Sequence, residues 1–179
     1  MLAAAAAAAL ISAPAYAALP IGAPAPEFTA PAFLAGNPFQ FALADALKHG
    51  PVVLYFFPAA HTTGCNIEAH MFADAIDKFK AEGATVIGVT AGHVDQLADF
   101  SRETEHCSGK FPVAADPNDT IAKTYDAIAT MGPNSFTNRT SYVITPDDKV
   151  LYTYTNLAPD QHIALTLAAV TQWRTAHPH

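Results

Sequence analysis

Residues Val52–Cys65 read VVLYFFPAAHTTGC: an unbroken apolar run, then a proline, two threonines, a glycine and a cysteine. A strand with one wet face alternates apolar and polar side chains, whereas a strand covered on both faces reads as a continuous run. Val52–Phe57 therefore predicts a strand inside a sheet that is packed on both sides. Beyond Cys65 the spacing becomes helical. Ile67, Phe72, Ile76 and Phe79 recur at intervals of three to five, Asp74, Asp77, Lys78 and Lys80 fall largely elsewhere, and Gly83 supplies the stop. Cys65 is thus placed in the first turn of a helix, at the end of a loop that opens at Pro58.

Working outward, Thr85–Thr90 (TVIGVT) predicts a second buried strand, and Val94, Leu97 and Phe100 suggest a helix that ends before Cys107. Asp116-Pro117-Asn118 is a start signal for a short helix over 118–125. TSYVI and VLYTYT flank Thr145-Pro146-Asp147-Asp148-Lys149 and read as an antiparallel hairpin. A last helix follows, with Asp160 as its cap and Ile163, Leu167, Val170 and Trp173 as its stripe. Upstream, the Pro- and Ala-rich stretch 18–31 predicts an extended lead-in. Gly36-Asn37-Pro38 before Phe39–Leu43 then suggests an opening hairpin. A β-α-β half followed by a hairpin and a helix is an α/β, thioredoxin-like plan: a central mixed sheet with helices on both faces.

At 179 residues, 51% of them hydrophobic, one core and one domain over 18–179 are expected. The net charge of −7 comes from scattered residues without a basic cluster, so no footprint for nucleic acid or anionic lipid is present. Residues 1–17, MLAAAAAAALISAPAYA, read as a signal peptide: the apolar run is too short to span a bilayer, and Ala15-x-Ala17 fits the small-residue cleavage rule. No basic residue precedes the run, and an Ala-rich tail is the plain alternative. Export, to a periplasm-like compartment, is the expectation. In such a compartment the even count of two cysteines, Cys65 and Cys107, favours a disulfide at some stage.

The order Pro58-x-x-x-Thr62-x-x-Cys65 carries the chemistry. Unpaired amides and the positive dipole end at a helix start favour thiolate over thiol. The Thr62 hydroxyl can hydrogen-bond to the sulfur or to a substrate oxygen, and Pro58 can stiffen the loop and shield it from water. PxxxTxxC after an apolar strand resembles the active-site signature of the peroxiredoxins (AhpC/TSA superfamily), thiol peroxidases with a thioredoxin-like fold. GAPAPEFTAPAF, Glu68, KFPVAADP and Arg139 in NRTSYVI make the chain most similar to the peroxiredoxin Q, or bacterioferritin-comigratory, branch.

That resemblance implies Cys65 as peroxidatic cysteine, Thr62 orienting the peroxide, Arg139 supporting the thiolate and the charge developing on oxygen, and Glu68 aiming Arg139. It implies a sulfenic acid at Cys65, recycling by a thioredoxin-like dithiol donor, and a monomer. One version of the branch has its resolving cysteine five positions after the peroxidatic one; His70 stands there instead. Cys107 is then the candidate resolving residue, joined to Cys65 after local unwinding. A structural Cys65–Cys107 disulfide, or an unpaired Cys107 with an external thiol as resolver, stays open, as does a surface ion pair for Arg139. Thr63 replaces a proline common in the branch, which leaves the loop less rigid.

The rival readings are a thiol-disulfide exchange protein, weakened by the absence of CxxC, and a thioredoxin-like binding module with a structural disulfide. His61, His70, His93 and His106 raise a metal reading, but Cys65 and His70 do not share a helix face and no CxxC or HxxxH frame exists, so neither metal nor cofactor is expected. Asn138-Arg139-Thr140 matches a glycosylation acceptor by a pattern frequent by chance.

Overall fold

The computed structural model describes residues 18–178; the expected signal segment at 1–17 lies outside them. Seven strands form one mixed sheet in the order β2-β1-β5-β4-β3-β8-β9, made of β1 Thr29–Leu34, β2 Asn37–Ala42, β3 Val52–Phe56, β4 Thr85–Thr90, β5 Val113–Ala115, β8 Thr140–Thr145 and β9 Lys149–Thr155. β3, β4 and β5 run parallel, while β8 lies antiparallel to β3 and β1 antiparallel to β5. A separate hairpin joins β6 Ile128–Met131 to β7 Asn134–Thr137.

The run VVLYFF is explained by its alternation. Val53, Tyr55 and Phe57 pack with Phe72, Ile76 and Phe79 of α2 (Thr63–Ala81), Phe100 of α3 (Leu97–Arg102) and Val170 of α5 (His162–Ala176). Val52, Leu54 and Phe56 pack on the opposite side with Leu43 and Leu47 of α1 (Leu43–Leu47) and Ala122 of α4 (Thr120–Thr124). Both faces of β3 are dry, and every side chain in it is buried. Tyr55 pairs with Gly88 of β4, where a Cβ would lie 2.6 Å from the tyrosine ring. Glycine is therefore required under that ring.

Helix α2 stops where Gly83 takes φ +74. Gly83 N–H then bonds Lys80 O at 2.9 Å and Ala84 N–H bonds Phe79 O at 2.9 Å, a Schellman closure. α4 starts at Thr120 rather than 118, with Asp119 at its cap position, and the Asp116 carboxylate upstream accepts from the amides of Thr120 at 2.8 Å and Ala122 at 2.9 Å.

Four other local expectations are corrected. Asp160 does not cap α5, which starts after Gln161 with no side-chain cap. Ile67 is 47% exposed, because the buried face of α2 runs through Cys65, Glu68, Ala69, Phe72, Ile76 and Phe79 and leaves position 67 outside it. The opening hairpin turns at Ala35 and Gly36, both with positive φ, and Asn37-Pro38 already belong to β2. Pro31 lies within β1; β5 pairs only with Ala32 and Phe33, so the proline's missing N–H leaves no gap on that side.

Candidate active site

β3 delivers the chain to a loop that is fastened to the end of β4. Phe57 N–H bonds Val89 O at 3.1 Å, Thr90 Oγ1 donates to Pro58 O at 3.1 Å, and His93 Nδ1 donates to Ala60 O at 2.8 Å. Gly92 permits this approach, since a Cβ there would lie 2.3 Å from Pro58 O. Pro58 is half-buried at the base of the loop, as expected. His61 occupies the left-handed region at φ +58, with Nδ1 bound to Gln96 Oε1 at 2.8 Å and Nε2 to Glu103 Oε2 at 2.9 Å. A non-glycine residue in that conformation is costly without such anchors.

Thr62 is the residue before α2, and its hydroxyl donates to Ala59 O at 2.8 Å rather than to the sulfur. Its oxygen lone pairs remain available to an incoming O–H. Cys65 sits in the first turn of α2 as expected, but it is 1% exposed instead of openly reachable.

Arg139 ends the segment leading into β8 and is 3% exposed. Its Nε donates to Leu157 O at 2.8 Å, Nη1 to Glu68 Oε2, and Nη2 to Cys65 Sγ at 3.5 Å. The surface ion pair considered for this arginine is excluded by its burial. Burial disfavours the arginine's charge, but Glu68 and Cys65 outweigh it and raise its pKa. Burial pushes the Glu68 carboxyl up to about 8 against the pull of Arg139. Gly64 lies against the guanidinium: a Cβ there would be 3.0 Å from Nη2. The carboxyl belongs to α2 and the guanidinium to the segment just before β8, 71 residues further along the chain, so only the tertiary fold joins them.

Behind Glu68 lies a layer that sequence reading missed. His162 Nδ1 is 3.8 Å from Glu68 Oε1 and accepts from Ser141 Oγ at 2.8 Å, while its Nε2 donates to Asn156 O at 2.9 Å. Burial lowers the His162 pKa to about 4, which keeps the ring neutral. A histidine beside an apolar stripe gives no sequence signal of this. Tyr55 Oη is likewise buried without a partner; burial raises its pKa, and Cys107, Glu68 and Cys65 add to the effect.

Cys107 follows α3 in a series of turns, fully buried in the same apolar cluster as Cys65 and Tyr55. Both cysteines are free, and burial pushes the Cys107 thiol up. His70 is exposed on α2, 3.6 Å from Asp74. Asn138 and Thr140 of the glycosylation-like triplet are buried, so the fold hides that acceptor. The spacing argument against metal tested only neighbours along the chain. The fold brings His61 and His106 to a ring separation of 5.1 Å with Glu103 beside both.

Residues 21–153 match the AhpC/TSA family. Peroxiredoxin Q, a chloroplastic protein of Oryza sativa subsp. japonica, is 31% identical over 147 residues, 82% of this chain and 64% of the rice protein, so the chain spans under two thirds of that relative. A putative peroxiredoxin of Mycobacterium tuberculosis is 31% identical over 135 residues, 74% of this chain and 86% of its own length. Among solved structures, peroxidoxin BcpB of Mycobacterium tuberculosis superposes with TM-score 0.75 at 28% identity, covering 85% of this chain and 96% of BcpB. AhpC of the same organism, at 14% identity, superposes with TM-score 0.76 over 91% of this chain and 97% of its own, which shows the fold alone. The chain belongs to the AhpC/TSA peroxiredoxin family, with its relatives among the peroxiredoxin Q and bacterioferritin-comigratory types.

Proposed function

We propose that the protein is a thiol peroxidase whose nucleophile is Cys65. The observation that carries this reading is the hydrogen bond from Arg139 Nη2 to Cys65 Sγ at 3.5 Å, made by a guanidinium already fixed through Glu68 and Leu157 O. A fixed cation beside the sulfur stabilises negative charge there before the reaction and on the oxygens during it. The thiolate attacks one oxygen of hydrogen peroxide or an organic hydroperoxide. The O–O bond breaks, sulfur becomes sulfenic acid, and the other oxygen leaves as hydroxide or alkoxide. Thr62 Oγ1, its proton committed to Ala59 O, accepts from the peroxide O–H and orients it.

Cys107 then condenses with the sulfenic acid, forming the S–S bond and releasing water. Both thiols are buried and free, which favours a resolving role over a permanent staple. A dithiol donor of thioredoxin type restores the pair by exchange, consuming two electrons. In this reading the protein is a monomer, as the resemblance implies, and is exported with its first 17 residues removed; the Ala-rich run supports the export.

The test uses the reduced protein with one equivalent of hydrogen peroxide and thiol mapping by mass spectrometry. A Cys65–Cys107 disulfide within seconds is the expected product, with sulfenic acid trapped at Cys65 in Cys107→Ser. Oxidation no faster than that of a free thiol would sink the proposal.

A further inference from the structure

Outside the Arg139 cluster, a second group of side chains has the chemistry of a ligand set. His61, Glu103 and His106 each direct a donor atom into one place, and these atoms all lie within 4.8 Å of one another. His61 Nε2 is 2.9 Å from Glu103 Oε2, and His106 Nδ1 is 3.7 Å from the same oxygen. In tetrahedral zinc sites with bonds of about 2.0–2.2 Å, ligand atoms sit about 3.4 Å apart, so these separations bracket what an ion needs.

A second, independent observation comes from His106. Its side chain is 10% exposed, and neither ring nitrogen has a hydrogen-bond partner. Buried imidazoles are normally satisfied, so a ring with both nitrogens bare lacks something. His61 is arranged in the complementary way. Gln96 Oε1 accepts from its Nδ1, so Nε2 is the nitrogen turned to Glu103, and its lone pair becomes free for an ion once the proton between them leaves. A metal-bound histidine is commonly held by such a bond from its other nitrogen.

We propose that His61, Glu103 and His106 bind one divalent transition-metal cation, Zn²⁺ being the best match. Two imidazoles and one carboxylate are borderline ligands that suit zinc and disfavour magnesium or calcium. His61 and Glu103 are 28% and 43% exposed, so the ion has an entry path and room for a water as fourth ligand. Binding replaces the proton shared between His61 and Glu103.

The position gives the site a consequence, which rests on the peroxidase reading above. His61 adjoins Thr62 in the loop leading to Cys65, and His106 adjoins Cys107. An ion bridging them clamps the two segments that must loosen for the disulfide to form. Bound zinc therefore acts as a brake on resolution.

Both points are tested on the full chain carrying Cys65→Ser and Cys107→Ser, so that no thiol competes for metal and no peroxide chemistry is involved. Calorimetric titration with Zn²⁺ should give one equivalent with Kd at or below about 10 µM. Adding His61→Ala or Glu103→Gln should weaken binding at least thirtyfold in proteins that keep the parental circular dichroism, while His70→Ala leaves it within twofold. No binding at tenfold higher zinc, or affinity unchanged in both His61→Ala and Glu103→Gln, overturns the site. Zinc should slow amide exchange across residues 60–66 and 103–108 at least tenfold; unchanged exchange with the site filled overturns the brake. The peroxidase reading stands or falls separately, on the wild-type thiol mapping.

Discussion

Arg139 Nη2 stands 3.5 Å from Cys65 Sγ, and the guanidinium can move little because its two other nitrogens are engaged by Glu68 and Leu157 O. Arg139→Lys keeps a charge but cannot serve three acceptors in one plane. A charge-assisted hydrogen bond contributes about 1.5–3 kcal/mol, so peroxide reduction by this variant should fall about 10- to 100-fold in stopped-flow assays. A rate within threefold of wild type would show that the contact is structural.

Gly64 tests the same contact from the other side. A Cβ at that position meets Nη2 at 3.0 Å, so Gly64→Ala should push the guanidinium away from the sulfur while leaving the helix intact. Alanine is the better helix former, but the buried guanidinium is held by Glu68 and Leu157 O, so displacing it should outweigh the propensity gain and lower thermal stability slightly. Peroxide reduction should drop about tenfold, the equivalent of 1.4 kcal/mol. Loss of stability without loss of rate would contradict this placement.

Cys107→Ser should separate the two chemical steps. The first attack on peroxide, made by Cys65, should keep its rate within about twofold, while disulfide formation disappears and sulfenic acid accumulates. Trapping with a sulfenic-acid reagent gives the readout. If an external thiol were the resolver, turnover with a dithiol donor would survive the substitution.

His162 gives the fold a pH signature. Its folded pKa is depressed to about 4 from 6.5, so below pH 6.5 the unfolded chain binds a proton that the folded one refuses. Its contribution is complete above pH 6.5 and is lost as pH falls to 4, about 3 kcal/mol in all. Glu68, pushed up from 4.5 to about 8, has the opposite slope: stability falls as pH rises between those values. The clean measurement is therefore the difference between wild type and His162→Gln in urea unfolding. That difference should widen from pH 4 to 6.5 and then stay level; a flat difference across this range would remove His162 from the account.

Gly88→Ala probes the platform beneath the site. The added methyl would lie 2.6 Å from the ring of Tyr55, which is itself stacked on Phe57 and Phe72 at centroid distances of 5.4 and 4.5 Å. Overpacking of this kind costs about 1–3 kcal/mol, and chemical denaturation should show it.

The fold was legible where one physical rule dominates. A strand with two dry faces reads as an unbroken apolar run, VVLYFF, a helix needs Gly83 to close, and Asp116 advertises the short helix whose first amides it binds. Pro58, Thr62 and Cys65 were legible because a loop holds them at fixed spacing. Pairing across the sheet was less so: Arg139 and Glu68 were expected together only through resemblance, and Ser141, His162 and Asn156 gave no pattern, because three elements converge to make that layer. Ile67 and Asp160 misled for a local reason. Helix periodicity and cap preference describe a helix alone, whereas the face of α2 that carries Cys65, Glu68 and Ala69 is the one the fold buries, leaving Ile67 outside it, and the chain's entry into α5 puts Gln161 at its start.

Helix α2 is sealed at one end only. Its far end is closed by the bonds of Gly83 and Ala84, while at the near end Thr62 makes no side-chain cap and no acidic residue stands in the first turn. Opening it from the Cys65 side breaks the contacts of Cys65 and Glu68 with Arg139 but leaves the Phe72–Phe79 packing in place. If Cys107 resolves the sulfenic acid as proposed, the waiting time between the two oxidation steps would be set by a helix-to-coil opening, a process with a far steeper response to temperature than attack by a preformed thiolate. Cooling should lengthen the life of the sulfenic acid more than it slows peroxide removal, making the oxidised intermediate a cold-weather species.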